Sequence, residues 1–344
     1  MKLDKIIYKD VKTCLPDLLQ SSVIVFDEPM HQHTSFKIGG KADVFCRPDD
    51  YFTLALIIEF ACHFNYPFMI LGRGSNLLVG DNGIRGVVIS TERLNKMKRF
   101  GNQIYAECGV VLKDLCEFAC SEGLSGLEFA SGIPGSVGGA VTMNAGAYDG
   151  EIRDVLSLST AISPSQKARV MRMLFDYPFP LEIVKFDNEQ HQFSYRKSIF
   201  QKQMNPMTTS FETDLAPKNL ISIPGFIHLY SIFSLVPQSI EEIRAKMDDL
   251  DQKRKSKQPT DPPSAGSVFK RPTGHFTGKL IDDCGLRGFR IGDAAISDKH
   301  CGFIVNLGSA TAKDVLCLIE HVKKTVFDRF AVELEEEIRI IGEQ

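Results

Sequence analysis

GLSGLEFASGIPGSVGGAVTMNAGAYDG, residues 123–150, holds eight glycines and four alanines in 28 positions, and its only charged residues are Glu128 and Asp149. Glycine at this density costs about 1 kcal/mol per helical position, so the segment reads as neither an ordinary amphipathic helix nor a strand. Its use is close approach. With few side chains in the way, the backbone N–H groups of Gly135, Ser136, Val137, Gly138 and Gly139 are expected to surround an anionic oxygen, helped by the partial positive charge of a turn entering a helix. A tightly packed crossover that binds nothing is the competing reading of these residues alone.

A second glycine loop lies upstream. Tyr66-Pro67-Phe68-Met69-Ile70-Leu71 reads as a short buried strand running straight into Gly72-Arg73-Gly74-Ser75-Asn76, and Leu77-Leu78-Val79 starts another apolar run. A strand entering such a turn builds a phosphate cradle. The third glycine of the dinucleotide fingerprint is missing and no clear helix follows. Nor does Ser or Thr follow Gly40-Lys41 or Gly278-Lys279, so no Walker A loop is present. Two loops of the same chemistry in one chain point to a ligand with a pyrophosphate.

Further runs stand around these two. They are His33-Thr34-Ser35-Phe36-Lys37-Ile38-Gly39-Gly40-Lys41-Ala42-Asp43, Tyr195-Arg196-Lys197-Ser198-Ile199-Phe200, PSAGSVFKRPTGHFTGKLI at 263–281, and Leu334-Glu335-Glu336-Glu337-Ile338-Arg339. With LGRGSNLLV and GLEFASGIPGSVGGAVTMNAGAY they thread most of the chain in the order of one family. The sequence resembles the UDP-N-acetylenolpyruvoylglucosamine reductases, flavoenzymes that complete UDP-N-acetylmuramate for peptidoglycan.

The resemblance implies an α+β fold: a two-subdomain FAD-binding unit of the p-cresol methylhydroxylase/vanillyl-alcohol oxidase type, plus a C-terminal α+β substrate domain. The expected division is 1–92 with the tail 337–344 returning to it, then 93–236, then 237–336. It also implies FAD held by Leu71, Gly72, Arg73, Gly74, Ser75, Asn76 and Leu77, and by Gly132, Ile133, Pro134, Gly135, Ser136, Gly138, Gly139, Asn144, Ala145, Gly146 and Ala147. NADPH is the implied reductant and UDP-N-acetylglucosamine enolpyruvate the implied substrate, with Tyr195, Lys270, Arg271 and Lys279 against it. Ser267, Arg196 and Glu337 match the three residues that carry the reaction. Many relatives have Asn where Arg271 stands.

Those residue types suit that chemistry. Hydride addition to an enolpyruvyl group builds an enolate, which needs positive charge and donors where its charge grows. Arg196 offers a planar, permanently charged fork for a carboxylate. Glu337 can hold or position a proton if burial raises its pKa. Ser267 is a weak acid whose delivery of a proton needs a pre-organised site. Outside that frame the same residues read as a turn serine, a salt-bridging arginine and part of a solvated acidic run. Another flavoprotein of the same fold, oxidising an alcohol or lactone, would keep the glycine loops but has no use for Ser267 and Glu337 together. A non-catalytic flavin-binding relative is the other alternative.

Composition agrees with a soluble globular protein. The chain has 344 residues, enough for two or three domains, with 43% hydrophobic and 24% charged residues. A net charge of −3 gives no reason to expect nucleic acid or an anionic membrane as partner. No apolar run is long enough to span a bilayer, MKLDKIIYKDVK does not read as a signal peptide and the scattered cysteines read as thiols in a reducing compartment, so a cytoplasmic protein is expected; a monomer is the expected state. The nine cysteines form no CxxC pair. Cys116 and Cys120 share a helical face without a nearby histidine, so no metal site is expected. No histidine lies between His63 and His191, so the flavin is expected to be bound non-covalently.

The periodicity predicts helices over about 51–65, 112–122, 239–255, 275–284 and 311–330. It predicts strands at 42–47, 67–71, 84–89, 103–108, 154–162, 182–186, 266–270, 302–306 and 337–341. Residues 1–30 read as a helix with a loop. Ser163–Leu181 and Met204–Val236 carry no clear period and look like insertions. The SAGSVFKRP run is that of the family type without a tyrosine-bearing lid over the substrate, although the Arg196–Ser267 spacing is closer to the other type. Tyr230 falls where the lid tyrosine would be, and the Ser-Ile-Phe-Ser-Leu after it reads as an ordinary strand.

Overall fold

The computed structural model describes residues 3–148, 150–163, 181–201 and 224–344. The chain divides into two compact units: residues 1–26, 44–73 and 86–252 form the first, and residues 27–43, 74–85 and 253–344 the second.

Strands in the order Ile24–Pro29, Lys41–Cys46, Ile84–Ser90 and Phe68–Leu71 make a four-stranded sheet, the last two parallel, with Phe68 opposite Val87 and Leu71 opposite Ser90. The helix Tyr51–His63 starts where Asp50 accepts a hydrogen bond from the Thr53 N–H at 2.7 Å, which satisfies one of the helix's orphan donors. Its Leu54, Ile57, Ile58 and Ala61 are buried with Phe68 and Ile89. A second sheet, antiparallel throughout, runs Glu182–Asp187, Leu156–Ser163, Ile227–Ser234, Gln103–Glu107, Met97–Phe100. The helix Leu112–Ser121 and the short helix Val137–Thr142 bury Leu115, Cys116, Val137 and Val141 with Phe233.

In the second unit the strands run Ser264–Ser267, Phe303–Asn306, Ala294–Ile296, Arg290–Ile291, all antiparallel. The helix Ala312–Phe330 opens with a reciprocal cap: Thr311 Oγ1 accepts from the Asp314 N–H at 3.1 Å, and Asp314 accepts from the Thr311 N–H at 3.0 Å. Asp81 adds two bonds from the Ala312 and Lys313 N–H groups at 2.8 and 3.0 Å. The core joins Phe36, Ile38 and Leu78 to Val268, Phe269, Ile304, Leu318 and Val322.

Several expectations need correction. The end of the stretch read as a loop in residues 1–30 is the strand Ile24–Pro29, whose mixed polarity gives it no period-2 signal. The helix expected to open the substrate part, Ile240–Lys257, buries Ile243 and Met247 with Leu115 and Phe233 in the first unit. The tail strand is Arg339–Ile341, not 337–341; it lies parallel to Leu77–Val79, itself a strand that went unpredicted. The strand expected at 266–270 is Ser264–Ser267. Of the two unusual stretches, 164–180 and 202–223 lie outside the described residues. Tyr230 does not. It stands inside the strand Ile227–Ser234, opposite both Glu107 and Thr160, with its ring 4.9 Å from that of Tyr105.

Candidate active site

In the first unit the two glycine loops meet. A Cβ built on Gly72 would stand 2.4 Å from Ser136 Oγ, so only glycine lets the first turn come this close to the second. Ser136 caps the helix Val137–Thr142, its hydroxyl accepting from the Gly139 N–H at 3.4 Å. The expected cradle of five N–H groups is smaller than the sequence suggested. Val137 donates to Val110 O and Gly138 to Cys108 O, each at 2.8 Å, and Gly139 is spent on the cap. The backbone needs these bonds because the turn is packed on the segment 108–111, where buried donors must be paired. Among the described residues, Gly72, Arg73, Gly135 and Ser136 keep N–H groups that make no backbone hydrogen bond. Those four donors, with the clearance at Gly72, fit a pyrophosphate.

This yields a direct test. Gly72→Ala should weaken FAD binding by flavin-free protein about tenfold or more, since displacing Ser136 costs its cap, about 1 kcal/mol, and closes the cradle. Adding Ser136→Gly should recover most of the loss, because glycine is a tolerable cap. Flavin fluorescence titration reads both. Unchanged affinity in the single variant would show that the two turns do not face the cofactor.

The same unit carries Arg196. Ser194 and Lys197 exchange backbone hydrogen bonds at 3.1 and 3.0 Å, leaving Tyr195 and Arg196 at the tip of a tight turn. Arg196 has φ +56°, a conformation that costs a non-glycine residue about 1–2 kcal/mol. The turn is tied down from behind. Ser198 Oγ donates to Thr142 O at 2.8 Å, Asn144 Nδ2 to Ser194 O at 3.3 Å, and Arg196 Nη1 to Gly146 O at 3.4 Å. The Arg196 guanidinium lies 5.1 Å from the centre of the exposed Tyr195 ring. Asn144 is buried, and its side chain also donates to Glu151 at 3.0 Å and accepts from the Arg153 N–H at 3.1 Å. It therefore shapes the loop behind Arg196 from within.

In the second unit a β-bulge presents Ser267. Ser264 pairs with Val305 and Ser267 with Phe303, so Ala265 and Gly266 together oppose one residue. Gly266 has φ +81°, and a Cβ there would touch nothing; the glycine serves the backbone angle. Such a bulge re-aims the next side chain, here Ser267. The tail runs alongside: Lys270 N–H donates to Glu335 O at 2.8 Å, Phe269 bridges Glu336, and Glu337 N–H donates to Val268 O at 2.7 Å. This brings Glu337 beside the residue that follows Ser267.

The three glutamates then separate. Glu335 pairs with Lys270 and Glu336 with Lys323 at 2.8 Å. Asn76 Nδ2 donates to the Glu337 carbonyl at 3.1 Å, and Arg339 N–H donates to Asn76 O at 2.9 Å. Glu337 is thus spent on Val268 and Asn76 before the tail ladder begins, which is why the strand starts two residues later than expected. Ser35 ties the remaining motif in. Its N–H donates to Gly74 O at 3.2 Å and its hydroxyl to Ser264 O at 2.7 Å.

The three expected substrate cations are all engaged. Lys270 holds Glu335, and Lys279 holds Asp283 at 2.9 Å across one helical turn. Arg271 donates to His275 O at 3.2 Å and lies 3.9 Å above the Phe276 ring. Exposed pairs of this kind are worth under about 1 kcal/mol, so a diphosphate can replace them. His300 is half-buried; burial holds it below the usual histidine range, and its Nδ1 accepts from the Gly302 N–H at 3.1 Å. Among the described residues no cluster of His, Cys, Asp and Glu fit to hold a metal ion occurs, and all nine cysteines are free thiols. Ser35 had no assigned role in the sequence; its membership of the 33–43 run was the sole signal.

Comparison with known proteins names the class. Residues 42–165 match the family described as FAD binding domain, and with its mixed α+β fold the class is that of FAD-dependent oxidoreductases. Residues 258–341 match the family described as UDP-N-acetylenolpyruvoylglucosamine reductase, C-terminal domain. The reductase of Clostridium novyi is 44% identical over 335 residues, 97% of either chain. That of Caldanaerobacter subterraneus is 42% identical over 330 residues, 96% of this chain and 97% of its own. Among solved structures, the reductase of Thermus caldophilus superimposes with a TM-score of 0.69 at 32% identity, covering 92% of this chain and 98% of that one. The chain belongs to the UDP-N-acetylenolpyruvoylglucosamine reductase family.

Proposed function

We propose that this chain reduces UDP-N-acetylglucosamine enolpyruvate to UDP-N-acetylmuramate, a step of peptidoglycan precursor synthesis, with FAD as cofactor and NADPH as reductant. Full-length similarity to reductases of that name and the FAD-binding domain support the reading. The observation that carries it is the pairing, within one unit, of a bulge-presented serine with a backbone-clamped glutamate. An alcohol or lactone oxidase of similar fold has no use for it.

When bound, the flavin supplies the hydride. Arg196, on its strained turn, holds the carboxylate of the enolpyruvyl group and stabilises the enolate charge as it grows. Ser267 gives its hydroxyl proton to the enolate carbon. Glu337 keeps that delivery oriented, and the serine oxygen regains its proton from solvent. Gly72, Arg73, Gly135 and Ser136 hold the cofactor pyrophosphate through backbone N–H groups. Lys270, Arg271 and Lys279 exchange their present partners for the UDP diphosphate, and Tyr195 borders the substrate. Residues 1–92 with the tail, and residues 93–236, form the flavin-holding part. Residues 237–336 form the substrate part, except that the helix Ile240–Lys257 packs with the former. No helix among the described residues is long and apolar enough to cross a membrane. The enzyme works as a monomer in the cytoplasm, where NADPH and nucleotide sugars are made.

Purified protein should be yellow, and acid denaturation should release the flavin into the supernatant, as non-covalent binding requires. Anaerobic NADPH should bleach the colour, and UDP-N-acetylglucosamine enolpyruvate should restore it. Bleaching that this substrate does not reverse, in protein with full flavin content, would overturn the reading.

A further inference from the structure

We propose that Asn76, which lies in the first glycine loop, acts as a positioning residue that selects Glu337 from the Glu335-Glu336-Glu337 run and fixes it relative to Ser267. The inference rests on the proton-delivery roles given above. A run of three glutamates on an extended segment has a register problem: a slip of one residue would put Glu336 in place of Glu337 and turn every side chain to the opposite face. The ladder to Leu77–Val79 begins only at Arg339, so it does not itself hold residue 337.

Val268–Lys270 pair with residues 335–337 on one edge, and Asn76 supplies a second pin on the other. Its side chain donates to the Glu337 carbonyl at 3.1 Å while its own carbonyl accepts from Arg339 N–H at 2.9 Å, so one residue grips the chain on both sides of Ile338. From the opposite edge, Val268 O takes the Glu337 N–H at 2.7 Å. Both polar groups of the Glu337 peptide are therefore fixed, one by the neighbour of Ser267 and one by Asn76. Lys270 and Lys323 hold the other two glutamates. On the edge facing Leu77–Val79 the tail's backbone ladder starts only at Arg339, so there the hold on residue 337 comes from the Asn76 amide, while Val268–Lys270 pair with residues 335–337 on the other edge. Through its side chain Asn76 thus serves proton delivery, although it sits in a phosphate-loop motif.

The test compares Asn76→Leu and Asn76→Asp, neither of which can donate this bond, with Glu337→Gln and with the double variant Asn76→Leu/Glu337→Gln. Flavin affinity should stay within about threefold and reduction by NADPH within about twofold, while reoxidation by the enolpyruvyl substrate slows about 30-fold or more. The double variant should be no slower than Glu337→Gln alone by more than about twofold, because both changes disable one group. In flavin-free protein, amide exchange at residues 336–339 should rise about tenfold in Asn76→Leu, with Phe303–Asn306 unchanged. Three results would overturn the proposal: a flavin affinity reduced about tenfold with normal reoxidation at saturation, faster exchange throughout the unit, or slowing that adds in full to that of Glu337→Gln. A wild-type enzyme that the substrate fails to reoxidise would sink the functional reading instead, and the exchange measurement would still decide the role of Asn76.

Discussion

Ser267→Ala is expected to leave flavin reduction by NADPH near its normal rate and to slow reoxidation by the enolpyruvyl substrate about 10³-fold, roughly 4 kcal/mol of transition-state stabilisation. The split follows from where the proton goes. Reduction of the flavin needs nothing from residue 267, whereas the enolate cannot be quenched at carbon without a positioned donor. The substitution is structurally mild. Residue 267 is half-buried at the end of a short strand, its pairing with Phe303 is a backbone matter, and the bulge before it is set by Gly266. Alanine keeps all of that and removes one oxygen. Stopped-flow measurement of each half-reaction separates the two rates. Equal slowing of both would make Ser267 a folding or flavin-site residue, and an unslowed second half would give the proton to another group, with Glu337 the first to test.

The half of this arrangement that lies close in sequence was legible beforehand. The helices expected over about 51–65 and 311–330 start where the periodicity placed them, each opened by a cap whose partners are three residues apart, Asp50 with Thr53 and Thr311 with Asp314. The glycine loops were readable because so many glycines together have few other uses. What the loops do in detail was not. Whether the N–H groups of Val137 and Gly138 remain free depends on Val110 and Cys108 arriving as partners, and nothing local announces that packing. The clamp on Glu337 was invisible for the same reason, since Asn76 and Glu337 are 261 positions apart. The bulge at Ala265 and Gly266 had a faint signal, a glycine inside a strand-like run, and the expected strand 266–270 was placed past it.

Acid should unfold the protein earlier than its carboxylates alone require, and His228 is the reason. It lies in the strand Ile227–Ser234, buried, opposite Ala161, with its ring edge-on to Phe200. Nε2 is 2.8 Å from Ser231 Oγ, whereas Nδ1 has no hydrogen-bond partner among the described residues and faces Gly138. The least costly arrangement has Nε2–H donating to the serine and a bare lone pair on Nδ1. A second proton would leave a buried cation with an unpaired N–H, a costly state. Burial, and then the neighbouring His191, push the His228 pKa down to about 3, and burial lowers His191 as well. The folded pKa lies below the unfolded value near 6.5. The stabilising contribution is therefore complete above about pH 6.5 and drains away as pH falls toward 3, because only the unfolded chain takes up the proton. Between pH 6 and pH 4 the loss from this one group is about 2–3 kcal/mol. His228→Gln keeps a donor for Ser231 and cannot titrate, so its stability should fall less over that interval by about this amount. Carboxylates contribute equally to both proteins and cancel in the comparison. Urea unfolding at several pH values reads the two slopes; identical slopes would mean that His228 accepts a proton in the folded state as readily as in the unfolded one.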